Sequence, residues 1–207
     1  MPNLTLNANI GQEALTLLKQ SGLLVVVGKM GANGAPPNVA WLAFQPFSAN
    51  MVTWEEEYSI YASTTAIQNG ATLQQLSTTP FPAATGQVYP LTAQGFFGPP
   101  QGGGAPGLYT ALNQFNNPGG LTFGLAQNAR VNGQPMNGNA VSAVATPFQT
   151  IIALAPSTTV YIWVQQQVRS GTVVTHVSAP QTAVEFTGGV TQATVVYDLN
   201  SGHFVRS

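Results

Sequence analysis

Residues 159–168 read TVYIWVQQQV, with Val160, Ile162, Val164 and Val168 on one side of an extended chain and Tyr161, Trp163, Gln165 and Gln167 on the other. A two-residue period built from β-branched and aromatic side chains is the signature of a strand with one face in the core. The same reading extends outward in both directions. It predicts strands over 3–10, 23–28, 39–44, 51–61, 72–76, 121–126, 140–145, 150–154, 172–178, 182–186 and 193–198. Asn33-Gly34, Asn69-Gly70, Asn132-Gly133, Asn137-Gly138, Ser170-Gly171 and Gly188-Gly189 supply turn chemistry between them. About a dozen short strands at this spacing describe an all-β fold, an antiparallel β-sandwich.

One segment departs from this period. Ala14, Leu15 and Leu18 form an apolar stripe within 12–20, Glu13 and Lys19 suit the two ends of the helix dipole, and Gly22 is placed to stop it. A short amphipathic N-terminal helix is therefore expected.

The stretch GFFGPPQGGGAPG at 95–107 carries too much Pro and Gly for a central strand, so it reads as a surface loop or linker. It suggests a β-unit at 1–94 and another at 108–207, as an alternative to one domain over 1–207. The heptads Ile67–Leu73 (IQNGATL) and Val168–Val174 (VRSGTVV) resemble each other, which is what two related units would leave behind. G-x-G-x-x-G at 102–107 lacks the strand-then-helix context of a nucleotide loop, given Pro99, Pro100 and Pro106.

Only 5% of the 207 residues are charged, against about a quarter in ordinary globular chains, and the net charge is −1. Such a chain has no basic footprint for nucleic acid. With no Cys it has no disulfides or thiolate metal sites. The two histidines, His176 and His203, show no spacing that would bring them together on a metal, so no cofactor is expected. Residues 1–10 lack a basic stretch followed by an apolar one, and runs such as Leu23–Val27 are too short to cross a bilayer as a helix. These features point to a cytoplasmic location or release without a signal peptide.

Glu55-Glu56-Glu57 is the sole acidic cluster. On a strand, Trp54, Glu56 and Tyr58 share a face, and a Glu56 turned toward the core needs a cation such as Lys29 or Arg130. Glu55 and Glu57 would then lie roughly 6–7 Å apart on the opposite face. That spacing fits paired-carboxylate chemistry without establishing it.

The leading expectation is a non-catalytic, lectin-like recognition protein. Neutral glycans, on a cell surface or free, would meet Tyr161, Trp163, Gln165, Gln167, Trp54 and Glu56. Aromatic rings suit sugar C–H faces and amides suit hydroxyls. A homo-oligomer would add multivalency. Two alternatives are a β-pore-forming, cytolysin-like protein that uses 159–168 and 172–178 as a membrane hairpin, and a self-assembling structural protein favoured by low charge.

Overall fold

The computed structural model describes residues 3–31, 35–177 and 179–207; the Asn33-Gly34 turn and Ser178 lie outside the described residues. Strands predominate, and the described residues hold one α-helix. Asn3–Ile10 alternates strictly, burying Leu4, Leu6, Ala8 and Ile10. It pairs in parallel with Gln192–Asp198 and antiparallel with Ala49–Glu55. The helix Gln12–Gln20 follows at once and buries Ala14, Leu15 and Leu18. Its end is closed by Gly22 at φ +64°: Gly22 N–H donates to Lys19 O (3.1 Å) and Leu23 N–H to Leu18 O (2.9 Å).

A nine-stranded sheet forms one layer. Two four-stranded sheets oppose it: Ile151–Leu154, Tyr109–Asn113, Gln87–Leu91 and Gln101–Gly102 make one, and Thr182–Glu185, Thr159–Gln165, Leu24–Lys29 and Leu42–Phe44 the other. Leu6, Val52 and Phe123 of the first layer share one apolar cluster with Tyr89 and Ala111 of the second sheet and Val25 and Ile162 of the third. The architecture is an all-β sandwich with no closed barrel. Strands from before residue 95 and after residue 107 both enter the nine-stranded sheet. The similar heptads lie against each other, with Val173 N–H donating to Ala71 O (2.8 Å), Gly70 N–H to Val173 O (2.9 Å) and Leu73 N–H to Gly171 O (3.0 Å).

Three local expectations are corrected. Thr159–Gln165 and Thr172–Val173 do not pair as a hairpin: the first lies between Leu24–Lys29 and Thr182–Glu185, the second against Val39–Ala40. The Asn137-Gly138 pair is no turn but an irregularity inside the strand Gln134–Ala140. The predicted strand over 51–61 is broken into Ala49–Glu55 and Ser59–Ser63, which run in tandem along Leu121–Val131.

That break organises the region around Glu55, Glu56 and Glu57. Thr53 pairs with Arg130 and Ser59 with Ala126, so the residues Trp54–Tyr58 are accommodated opposite the shorter run Gln127–Ala129. On the other edge of the same strand, register slips at the same level, where Asn128 Oδ1 accepts from Gly138 N–H (2.7 Å). On both edges the extra residues lie in the neighbouring chain, in 54–58 and at Asn137-Gly138, and it is these bulged segments that bend and re-aim their side chains.

Candidate binding groove

The double irregularity sends consecutive side chains in different directions. Glu56 turns inward. Its Oε1 accepts from Lys29 Nζ (2.7 Å) and Trp54 Nε1 (2.6 Å), and its Oε2 accepts from the Tyr58 hydroxyl. Lys29 Nζ also donates to Tyr58 Oη (3.2 Å) and Ser157 O (3.3 Å). The ammonium sits 5.2, 5.1 and 5.6 Å from the ring centroids of Trp41, Trp54 and Tyr58. Trp41 and Trp54 meet edge to face at 5.6 Å, and Trp54 meets Phe186 at 5.0 Å. Lys29 is thus a buried cation with one carboxylate, two further acceptors and three π-faces.

Burial pushes the Lys29 ammonium down to about 8, with Glu56 acting in the opposite direction. Burial, followed by the Glu56 charge, holds the Tyr58 phenol well above its usual range. Gln127 completes the knot: it is fully buried, its Nε2 donates to Glu55 O (2.6 Å), and its backbone oxygen accepts from Trp41 Nε1 (3.4 Å). Among the described residues Gln127 Oε1 has no partner.

Glu55 and Glu57 instead line a surface groove of about 310 Å³, together with Asn3, Phe81, Asn128, Arg130 and Asn137. The Phe81 ring is exposed. The groove wall is therefore fastened from behind: Glu55 through its carbonyl to Gln127, and Glu57 through its two bonded neighbours, Glu56 and Tyr58. Among the described residues the Lys29–Glu56 contact is the sole ion pair, so the groove's charges have no ion-pair partner among them.

Of the sequence candidates, the structure brings Trp54 and Glu56 together at this wall. The other four are elsewhere. The expected outward stripe does not form, because a second apolar layer covers it: Trp163 is fully buried with Val26, Ala40, Val168 and Val174, and Tyr161 packs against that cluster. Trp163 Nε1 donates to Gln165 Oε1 (2.8 Å), and Gln167 is exposed at φ +53° beyond the strand end. Phe81, Asn3, Asn128 and Asn137 were missed, since single Asn and Phe residues on separate elements carry no periodic signal. The described residues contain no group of three or more His, Asp or Glu suited to a metal, and no helix long and apolar enough to cross a membrane. Comparison with protein-family models, curated proteins and solved structures found no match.

Proposed function

We propose that the protein is a non-catalytic recognition module that binds neutral glycans in the groove between Glu55, Phe81 and Asn137. The observation that carries this reading is the lining itself. Three carboxamides and two carboxylates converge beside one exposed aromatic ring. Carboxylates and amides accept and donate to sugar hydroxyls, while Phe81 offers a π-face to an apolar sugar face. This moves the expected site from the buried Trp163 to a surface that solvent reaches. Homo-oligomerisation would raise the avidity of such a shallow site.

A broad panel of neutral glycans tests the reading, followed by calorimetry on any hit. Phe81→Ala is expected to weaken binding about tenfold, and Glu57→Gln by about tenfold or more, because a charge-assisted hydrogen bond is lost. A panel with no binder, or a binder indifferent to both substitutions, would sink it.

A further inference from the structure

Folded proteins keep sheet edges from pairing by caps, charges, prolines, bulges and short lengths, and most edges here use one of them. On Leu42–Phe44, Ala43 N–H donates to Ser170 Oγ (3.0 Å). Thr182–Glu185 is tied to His203–Arg206, through Thr182 Oγ1 to Phe204 O and Arg206 Nη2 to Glu185 O (3.5 Å). Gln101–Gly102 has only two residues, Gln75–Thr78 meets its neighbour with a register shift, and Gln134–Ala140 carries Pro135 and the Asn137-Gly138 irregularity. The edge strand Ile151–Leu154 has none of these devices. It pairs in regular register with Tyr109–Asn113 on one side, and no Asp, Glu, Lys, Arg or His occurs between Arg130 and Arg169. Asn113 N–H donates to Thr150 O (3.0 Å), so the alternation of an antiparallel ladder makes Ile152 and Leu154 the residues bonded to Ala111 and Tyr109. Ile151 and Ala153 therefore turn both N–H and C=O away from the sheet, and among the described residues neither finds a partner there. Beside them lies a groove of about 320 Å³, lined by Ala153 and Leu154 of this strand and by Pro36, Asn38 and Val144. Ala143, also on the groove, is already satisfied: Asn38 Nδ2 donates to Ala143 O (2.6 Å) and Ala143 N–H to Asn38 Oδ1 (3.2 Å).

We propose that this edge pairs with the same edge of a second copy of the chain, antiparallel about a twofold axis at Ile152. Open N–H and C=O groups along an extended backbone call for another strand as their occupant. Symmetry argues that the strand is this one. The two outward-turned residues are spaced evenly about Ile152, so a single twofold satisfies both. Ile151 exchanges both bonds with the partner's Ala153, and Ala153 with the partner's Ile151. Each Ile151 side chain, 62% exposed in the single chain, then lies across from the small side chain of the partner's Ala153. The stretch carries no ionisable group and the chain's net charge is −1, so no like charges meet across the axis. Ile152 and the partner's Ile152 face each other beside the apolar groove as a pair without mutual hydrogen bonds. This gives the homo-oligomer a defined interface, and it stands independently of what the polar groove binds.

Sedimentation equilibrium of the full chain from about 1 to 500 µM tests this. A monomer–dimer equilibrium without larger species is expected. Ile151→Lys and Ala153→Lys each set like charges across the axis and should weaken the dimer about tenfold or more. Both positions are exposed, so the monomer's thermal midpoint should not move. The chain has no Cys, so a disulfide in a single-cysteine variant joins two copies. Ile152→Cys should cross-link under mild oxidation, because facing residues without mutual hydrogen bonds lie about 4.5 Å apart at Cα. Ala153→Cys should not, since its counterpart lies diagonally beyond the ~7 Å that a disulfide spans. Glu57→Gln should dimerise normally, which separates this interface from the glycan reading. A strictly monomeric chain overturns the proposal. So does a dimer indifferent to both lysine variants, or cross-linking of Ala153→Cys in place of Ile152→Cys.

Discussion

Lys29→Met removes the ammonium from the aromatic box while keeping an unbranched stem of similar length between Trp41, Trp54 and Tyr58. Packing is then largely retained, but Met donates none of the hydrogen bonds that Lys29, charged or neutral, gives to Glu56, Tyr58 and Ser157 O, so those buried acceptors lose their donor as well as the charge. The Lys29 side chain is 3% exposed and that of Glu56 16%. Breaking a buried pair from one side costs about 3–5 kcal/mol, because the remaining charge is left uncompensated. Glu56 keeps the Trp54 indole and Tyr58 hydroxyl as donors and retains some water, so the low end, about 3 kcal/mol, applies. For a chain of this size that corresponds to a fall of about 6–12 °C in Tm. The assay is urea denaturation at pH 7 followed by tryptophan fluorescence, since Trp41 and Trp54 report the box directly. The double variant Lys29→Met, Glu56→Gln removes both charges and should recover most of the loss, since neutralised pairs are often tolerated. A single variant within about 1 kcal/mol of wild type, or a double variant no better than the single, would refute the compensated-charge argument.

Stability should also vary with alkaline pH. Lys29 is held at about 8 in the native state and titrates near 10.5 when unfolded. Between those values the unfolded chain binds a proton that the native chain has released, so stability rises with pH across that window. Tyr58, raised by burial and by Glu56, and Tyr61, raised by burial, act oppositely. Their phenols stay protonated in the native state above pH 10, and stability falls there. Denaturation midpoints should peak near pH 9–10, and Lys29→Met should lose the rising limb. Separately, Gly124→Ala would put a Cβ 1.9 Å from Ser142 O and 2.7 Å from the Tyr61 ring. It should destabilise by about 3 kcal/mol, whereas Gly119→Ala, whose nearest neighbour is 3.9 Å away, should stay within about 0.5 kcal/mol in the same denaturation series.

The sandwich was legible because burial alternates where one face meets the core and the other meets water. Asn3–Ile10 and Gln12–Gln20 have the predicted bounds, since each carries a clean period and the helix a glycine stop. Gln87–Leu91 and Tyr109–Asn113 escaped notice: Pro90 interrupts the first, and the second is nearly all buried, leaving no polar phase to read. The same blindness explains Trp163. Its strand, Thr159–Gln165, has apolar layers on both sides, so Val160, Ile162 and Trp163 are all buried. Alternation of aliphatic with aromatic residues therefore marked two kinds of core instead of core and surface.

The groove was half legible for a related reason. A carboxylate in phase with Trp54 and Tyr58 has to be compensated, and that requirement singled out Glu56 and offered Lys29 or Arg130 as its partner, of which the structure uses Lys29. Sequence spacing could not show that meeting Lys29 requires the chain to leave regular register. Once Glu56 is drawn in by Lys29, Trp54 and Tyr58, the segment Trp54–Tyr58 exceeds the strand length available opposite Gln127–Ala129. Glu55 and Glu57 are left to the outside, where they line the groove with Asn128 and Asn137. The buried ion pair and the polar groove are thus two sides of one bulge, and weakening the inner side should loosen the geometry of the outer one.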